Sequence, residues 1–306
     1  MNIKISKMLS IALFFASTQL FAAAYTTPAL NNAIIGQIQY DRTGYGETAG
    51  AITLRYDIGY NALKKANPHI QFSKNLSSGI PITLPTRHLL PNLPREGIII
   101  NLPEMRMYYF PAGSNLVYTY PIGIGKVGKT IPITQASITR KTINPTWTPP
   151  DDIREFNLKQ GVVLPQVMPA GPDNPLGPYA IYMSVPTYLI HSTIFPESIG
   201  KRASFGCIRM YETDIKSFFP SVASGIPVAI INYPSKVGWQ ENHLYLEAHQ
   251  PLEEHGSEYD ATLPGALHMI ASSAKNQAVL IDWQAVSYIM QERDGVPHDI
   301  GIRISK

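Results

Sequence analysis

The chain has 306 residues, 44% of them hydrophobic and 15% charged, with a formal net charge of +3 that falls to +1 if Lys4 and Lys7 leave with an N-terminal leader. That balance has no concentrated basic face, which excludes nucleic acid as a partner, and no stretch reads as a membrane-binding helix. The length allows one large core and a smaller module, and 26 prolines with 22 glycines favour many short elements and a mainly β architecture.

Residues 1–24 read as a signal peptide. Lys4 and Lys7 form its positive region, Leu9 to Phe21 its apolar stretch, and Ala22-Ala23-Ala24 a small-residue site for cleavage near Ala24. The expected location is therefore the periplasm. Next, Ile35 to Tyr40 alternates as a strand does. Gly46-Glu47-Thr48 precedes a helix with Ala51, Leu54 and Arg55 on one face, and Tyr60 to Asn67 gives a second helix stopped by Pro68. Gly79 to Pro85 closes with a turn and a strand. This strand-helix-helix-strand unit, residues 35–86, resembles a LysM module, which implies an α+β fold and binding of wall glycan.

Pro91 to Pro94 reads as a linker. Strands are predicted at Gly97–Leu102, Met105–Phe110, Leu116–Gly123, Ala180–Val185, Tyr188–His191 and Val228–Tyr233. A helix over Thr213–Ala223 carries Ile215, Phe218, Phe219 and Val222 on one face. Residues 234–306 form an extension of unknown role, with little periodicity before a terminal helix over Ala274–Met290 that carries Trp283, Val286 and Met290.

Gly123 to Thr130 matches the phosphate-loop pattern G-x-x-x-x-G-K-[ST]. That chemistry needs a helix N-terminus after the loop, whereas Ile131-Pro132-Ile133-Thr134 cannot supply one. The stretch reads instead as a Gly-Lys-rich hairpin, and no nucleotide is expected. His249, Glu253, Glu254 and His255 lack metal-ligand spacing and read as solvated side chains, so no metal is expected. Asp151-Asp152, after two prolines, reads as a helix start.

Cys207 is the only cysteine and lies sixteen positions after His191. A lone thiol in an exported protein is a buried core residue, an intermolecular link or a nucleophile. As a nucleophile it needs a nearby base, which His191 could be, and Gly206 lets backbone amides approach a substrate oxygen.

Asn144 to Pro150, Gly171 to Gly177, Ile190-His191-Ser192-Thr193 and Ser204-Phe205-Gly206-Cys207-Ile208-Arg209-Met210 together resemble the YkuD-type L,D-transpeptidases, in particular the ErfK/YbiS group. The resemblance spans about Ile35 to Leu252. It implies a β-rich sandwich or barrel with one or two short helices over residues 95–233, and a thiol mechanism on peptidoglycan stem peptides without a cofactor. Cys207 would be the nucleophile, His191 the proton donor and acceptor, and the Ser192 carbonyl the group that orients the imidazole. The amides of Gly206 and Cys207 would form the oxyanion hole. Arg209 would hold the active-site loop or a substrate carboxylate, with a surface salt bridge as the alternative.

Two positions depart from the family pattern. Phe205 stands where histidine or arginine is usual at a substrate-facing site, and Ile131 interrupts a Thr-Pro pairing. The acyl group would pass to an amine of an outer-membrane protein or lipoprotein, or to a second stem as a 3→3 cross-link. Hydrolysis by the same fold and a non-catalytic wall-binding protein are the competing readings.

Overall fold

The computed structural model describes residues 23–72, 75–275 and 277–304; the expected leader lies outside them as far as residue 22. The N-terminal module holds β1 (Ala23–Thr26), β2 (Ile34–Gly36), β3 (Gln39–Arg42), α1 (Ala49–Tyr56), α2 (Tyr60–Ala66), β4 (Pro81–Leu84) and β5 (Arg87–Leu89). The central module runs through β6 (Gly97–Asn101), β7 (Arg106–Phe110), β8 (Leu116–Pro121), β9 (Ile124–Gly125), β10 (Thr134–Ile143) and α3 (Asp151–Lys159). It continues through β11 (Tyr179–Met183), β12 (Leu189–His191), β13 (Arg202–Ser204), β14 (Ile208–Arg209), α4 (Glu212–Ser221) and β15 (Pro227–Ile231). The C-terminal module comprises β16 (Ser235–Gln240), β17 (His243–Ala248), α5 (Leu263–Ser273), β18 (Val279–Ile281), α6 (Trp283–Glu292) and β19 (His298–Arg303).

The expected strand-helix-helix-strand order is present in the first module. Thr48 accepts the Ala51 amide and so starts α1. Its buried face, however, is Ala49, Ile52 and Thr53, while Leu54 points out at 50% exposure. Ile52 and Ile58 need the core positions, and the expected stripe is rotated away from them. The single leading strand is broken at Gly36, whose positive φ turns the chain, and an added Cβ there would meet the Thr86 carbonyl at 2.0 Å. Ile35 thereby joins Ile99, Tyr108 and Val117 of the central module, whereas β3 is fully exposed and pairs with β4.

The central module is a sheet of nine strands in the order β1-β8-β7-β6-β15-β10-β11-β12-β14. Two pairs are parallel, β6 with β15 and β12 with β14. β10 was not anticipated, because its burial is irregular and its charged residues hide the alternation. It pairs with β15 through Thr134–Ser137, then, past an irregularity near Ile138, with β11 as far as Ile143. One bent strand thus joins two halves of the sheet around a shared core of Ile98, Met107, Ile181, Ile190 and Ile208. Ile131 is a member of that core at 1% exposure, which accounts for the interrupted Thr-Pro pairing. The predicted face of α4 closes the core from one side, with Phe218 edge-on to Tyr109 at 5.2 Å. Burying a ring of this kind contributes roughly 1.5–3 kcal/mol.

The Gly-Lys segment is not a hairpin. Ile124-Gly125 pairs in parallel with Arg202–Ser204, a turn follows through Lys126–Lys129, and the chain then enters β10 rather than a helix. The extension is a folded unit with its own core: β16, β17, β19 and β18 form a sheet whose Leu244, Leu246 and Ile300 pack on Ala266, Ile270, Val286 and Ile289. Its last helix begins only at Trp283, which stays 54% exposed.

Candidate active site

β12 ends at His191 because the next residue leaves the ladder to bond elsewhere. The Ser192 amide donates to the Tyr179 carbonyl at 3.0 Å, its hydroxyl donates to the Leu176 carbonyl at 2.8 Å, and that oxygen accepts the Tyr179 amide at 3.1 Å. Ser192 is fully buried, so these bonds fix its carbonyl, and the carbonyl receives His191 Nδ1. With Nδ1 donating, Nε2 keeps its lone pair and can take a proton.

The thiol comes to this imidazole through strand pairing. Ile190 faces Ile208 and His191 faces Arg209 in the parallel β12-β14 pair. Continuing the register back by one residue sets Cys207 beside Leu189, on the same face as His191 and diagonal to it. Cys207 Sγ lies 3.9 Å from the Thr187 carbonyl and accepts from the Leu189 amide.

Both reacting groups rest uncharged. Burial, helped by the Arg209 charge, lowers His191 from its ordinary range to about 3. Burial raises the Cys207 thiol, against smaller lowering effects of the Leu189 amide and Arg209. The resting state is therefore thiol with neutral imidazole, from which a sulfur nucleophile would form only as its proton moved.

Gly206 has φ 116, and a Cβ there would strike the Tyr188 ring at 2.5 Å. Glycine is required, but the oxyanion role expected of its amide is not available in this geometry. That N–H donates to Ser204 Oγ at 3.0 Å, and the same hydroxyl donates to the Cys207 carbonyl at 2.6 Å. Ser204 braces the loop, and the Cys207 amide is left as the candidate donor to a substrate oxygen. Arg209 is half-buried, its Nε has no hydrogen-bond partner, and among the described residues it forms no ion pair. Its guanidinium stands 5.7 Å from the Phe195 ring. Glu197 acts on its charge without closing to an ion pair, and the unbonded Nε can meet an anion.

Phe205 faces sideways. Its ring meets Phe156 of α3 edge-on at 5.2 Å, and the Lys126 ammonium lies 3.6 Å from the Phe205 ring and 3.9 Å from that of Phe156. Lys129 also reaches α3, at Asp152, 2.5 Å away. Asp151 and Asp152 occupy the first turn of α3, where they favour the helix dipole rather than cap it. Lys126 and Phe156 were not singled out in the sequence, since their only signal is a contact between distant segments.

A cavity of about 730 Å³ lies where the three modules meet, away from the thiol. Beside it His88, Glu104 and Glu247 bring ligand atoms within 4.8 Å of one another. The place a cation would take is filled: Lys236 Nζ is 2.8 Å from Glu104 and 2.8 Å from Glu247. The tail residues read as solvated are paired instead, His249 with Glu247, His255 with Glu258, and Glu254 with Arg202 of the central module.

A sequence profile for the YkuD L,D-transpeptidase catalytic domain matches residues 95–230. The chain is 38% identical to the probable L,D-transpeptidase YcfS of Escherichia coli K12, over 97% of this chain and 95% of that protein. It is 36% identical to the probable L,D-transpeptidase ErfK/SrfK of the same organism, over 97% of each. The catalytic domain of an E. faecium L,D-transpeptidase, solved by NMR, aligns with 46% of this chain and 99% of its own at 22% identity and a TM-score of 0.35.

Proposed function

The chain belongs to the YkuD-type L,D-transpeptidases, and on that premise we propose an exported enzyme that carries peptidoglycan tetrapeptide stems as a thioester on Cys207. The observation that carries this reading is the imidazole locked by the Ser192 carbonyl, neutral, on the same strand face as the only thiol in the chain. Cys207 Sγ attacks the carbonyl of the third stem residue while its proton passes to His191 Nε2. The Cys207 amide steadies the oxyanion, the C–N bond breaks, and D-Ala leaves with the imidazole proton on its amine. An acceptor amine then attacks the thioester, gives its proton to His191, and the thiol is restored. The unpaired Arg209 guanidinium is suited to the carboxylate of the departing D-Ala.

Residues 35–86 take the part of a LysM-like glycan contact, and the leader directs the protein to the periplasm. The acceptor is an outer-membrane protein or lipoprotein amine, or a second stem. Incubation with a carbapenem adds one acyl adduct to the intact mass, absent in Cys207→Ala. An unchanged mass, under conditions that label a known relative, would sink the reading. Wall fragments from cells carrying wild type or Cys207→Ala then separate the fates: protein-bearing fragments mark tethering, new dimers cross-linking, and tripeptides alone hydrolysis.

A further inference from the structure

Two carboxyl groups face each other where the N-terminal and central modules meet. Asp57 ends α1 with a left-handed φ of 52°, and Asp214 sits in the first turn of α4 at 4% exposure. Asp57 Oδ1, Asp57 Oδ2 and Asp214 Oδ2 are shut off from solvent; the two carboxyls lie within hydrogen-bonding reach of each other, and neither has a donor in strict bonding geometry. No ammonium reaches them among the described residues. Arg106 is the cation nearby; its charge favours both carboxylates, but it forms no ion pair with either, and its Nη1 donates to Thr119 Oγ1 at 3.0 Å. The other groups that face the pair are the phenols of Tyr25, Tyr120 and Tyr211. Burial and mutual repulsion push the Asp214 carboxyl well up, so the pair as it stands must hold a proton.

β1 delivers a backbone nitrogen to this place. Ala23 pairs with Thr119 on β8, and its N–H lies beside the Asp57 carboxylate. An amide brings one proton to two carboxyls that otherwise share one between them; an α-ammonium brings three and a positive charge. We propose that the leader is cut between Ala22 and Ala23, and that the α-ammonium so formed docks on Asp57 and Asp214 and locks β1, α1 and α4 together. Water and an export-associated endopeptidase supply the cut. The peptide bond breaks, Ala22 keeps the new carboxylate, and Ala23 keeps an amine that is protonated at neutral pH. A cut after Ala24, the site expected from the three alanines alone, removes half of β1 together with its pairing to Thr119 and Tyr118. The carboxyls are then left with the Arg106 charge but no cation bonded to them.

This rests on the export reading, and the test separates the two. The protein is purified from the periplasm with its own leader, and its N-terminus is read by sequencing and intact mass. The expected first residue is Ala23. A start at Tyr25 leaves export standing and overturns the docking, whereas a retained leader overturns both. The α-amine is then acetylated at neutral pH in competition with lysines. Labelling of Ala23 is expected to be at least about tenfold slower in the folded protein than in urea, since each unit of raised amine pKa alone gives tenfold. The protection is expected to vanish in Asp57→Asn/Asp214→Asn, with folding verified by carbapenem acylation of Cys207. Equal labelling of folded and unfolded wild type, or protection that survives in the double variant, overturns the proposal.

Discussion

Two buried polar clusters in this molecule are built to opposite ends. At the junction of the modules Lys236 bonds Glu104, Glu247, the Leu89 carbonyl and Tyr108, while Glu247 also takes the Leu89 amide and Glu104 takes Asn101. Burial pushes the Glu104 carboxyl up, but the Lys236 ammonium outweighs it and holds the group well below the usual range. One ammonium serves two carboxylates there, and each carboxylate also takes further hydrogen bonds. At the corner of Cys207 and His191 the thiol and imidazole are neutral, the Arg209 Nε is unpaired, and the Cys207 sulfur has only the Leu189 amide and a distant carbonyl. A saturated cluster has nothing left to offer a ligand and serves to hold modules together. An unsaturated one stores desolvation that a substrate relieves.

The largest break in this contrast is His191→Gln. Loss of the proton carrier is expected to slow acylation about 10²–10⁴-fold with little change in the urea midpoint. The pH profile sharpens the point. Because the folded imidazole is neutral down to about 3, wild-type acylation should not fall as pH drops through 6.5, and it should rise toward alkaline pH as the thiol ionises. Stability moves the other way from the rate's indifference. Between about 6.5 and 3 the unfolded chain binds the proton that buried His191 refuses, and His88, also lowered by burial, acts alike. Stability is therefore full above that window and is lost as pH falls through it. An acylation rate that titrates at about 6.5 would break this account of the corner.

Lys236→Met tests the saturated side. Removing the ammonium takes from Glu104 and Glu247 the cation they share, leaving them only His249, the Leu89 amide, Asn101 and Tyr108, and the expected loss is about 3–5 kcal/mol in urea unfolding. Acylation of Cys207 in the remaining folded protein should be unchanged. Replacing Lys236, Glu104 and Glu247 together by apolar residues should recover most of that loss, since no charge is then stranded.

Arg209→Met reverses the pattern: stability should change little, because the guanidinium leaves only the Phe195 ring and the charge of Glu197 behind, with no hydrogen bond at its Nε to lose. The apparent KM for stems ending in a free carboxylate should rise about 10–100-fold, matching the roughly 1.5–3 kcal/mol of a hydrogen bond to a charged group. Stems with an amidated end should show little difference between the two proteins. Equal effects on both would remove Arg209 from carboxylate binding.

The same contrast governs what could be seen in the sequence. Strands such as Gly97–Asn101 and Tyr179–Met183 were visible because their apolar runs are local, and α4 because one face repeats at helical spacing. Cys207 and His191 were visible because each sits in a short motif. The saturated cluster was not, since Leu89, Glu104, Lys236 and Glu247 are far apart in the chain and none has a local signal. The C-terminal sheet was hidden likewise: β17 carries the buried Glu247, and its partner β19 lies some fifty residues on. Gly206 was rightly picked out, but the loss of its amide to Ser204 depends on a hydroxyl whose direction no spacing reveals.

Lys126 gives the smallest expected effect and the finest test. Its ammonium lies between the Phe205 and Phe156 rings, and so ties the residue before Gly206 to α3, a helix with no buried residue of its own. With so little apolar area to hold it, α3 depends on this clasp and on the Lys129-Asp152 pair, which is exposed and worth at most about 1 kcal/mol. An exposed cation-π contact contributes about 0.5–1 kcal/mol. Lys126→Met should therefore loosen α3 by a few-fold, read as faster protease cleavage within residues 151–167, while the global urea midpoint stays put. Phe205→His keeps a ring but weakens the platform for the cation, and should give a smaller change in the same direction. If neither variant alters cleavage of α3, Phe205 is not tying that helix to the catalytic loop, and its ring must be assigned to the substrate instead.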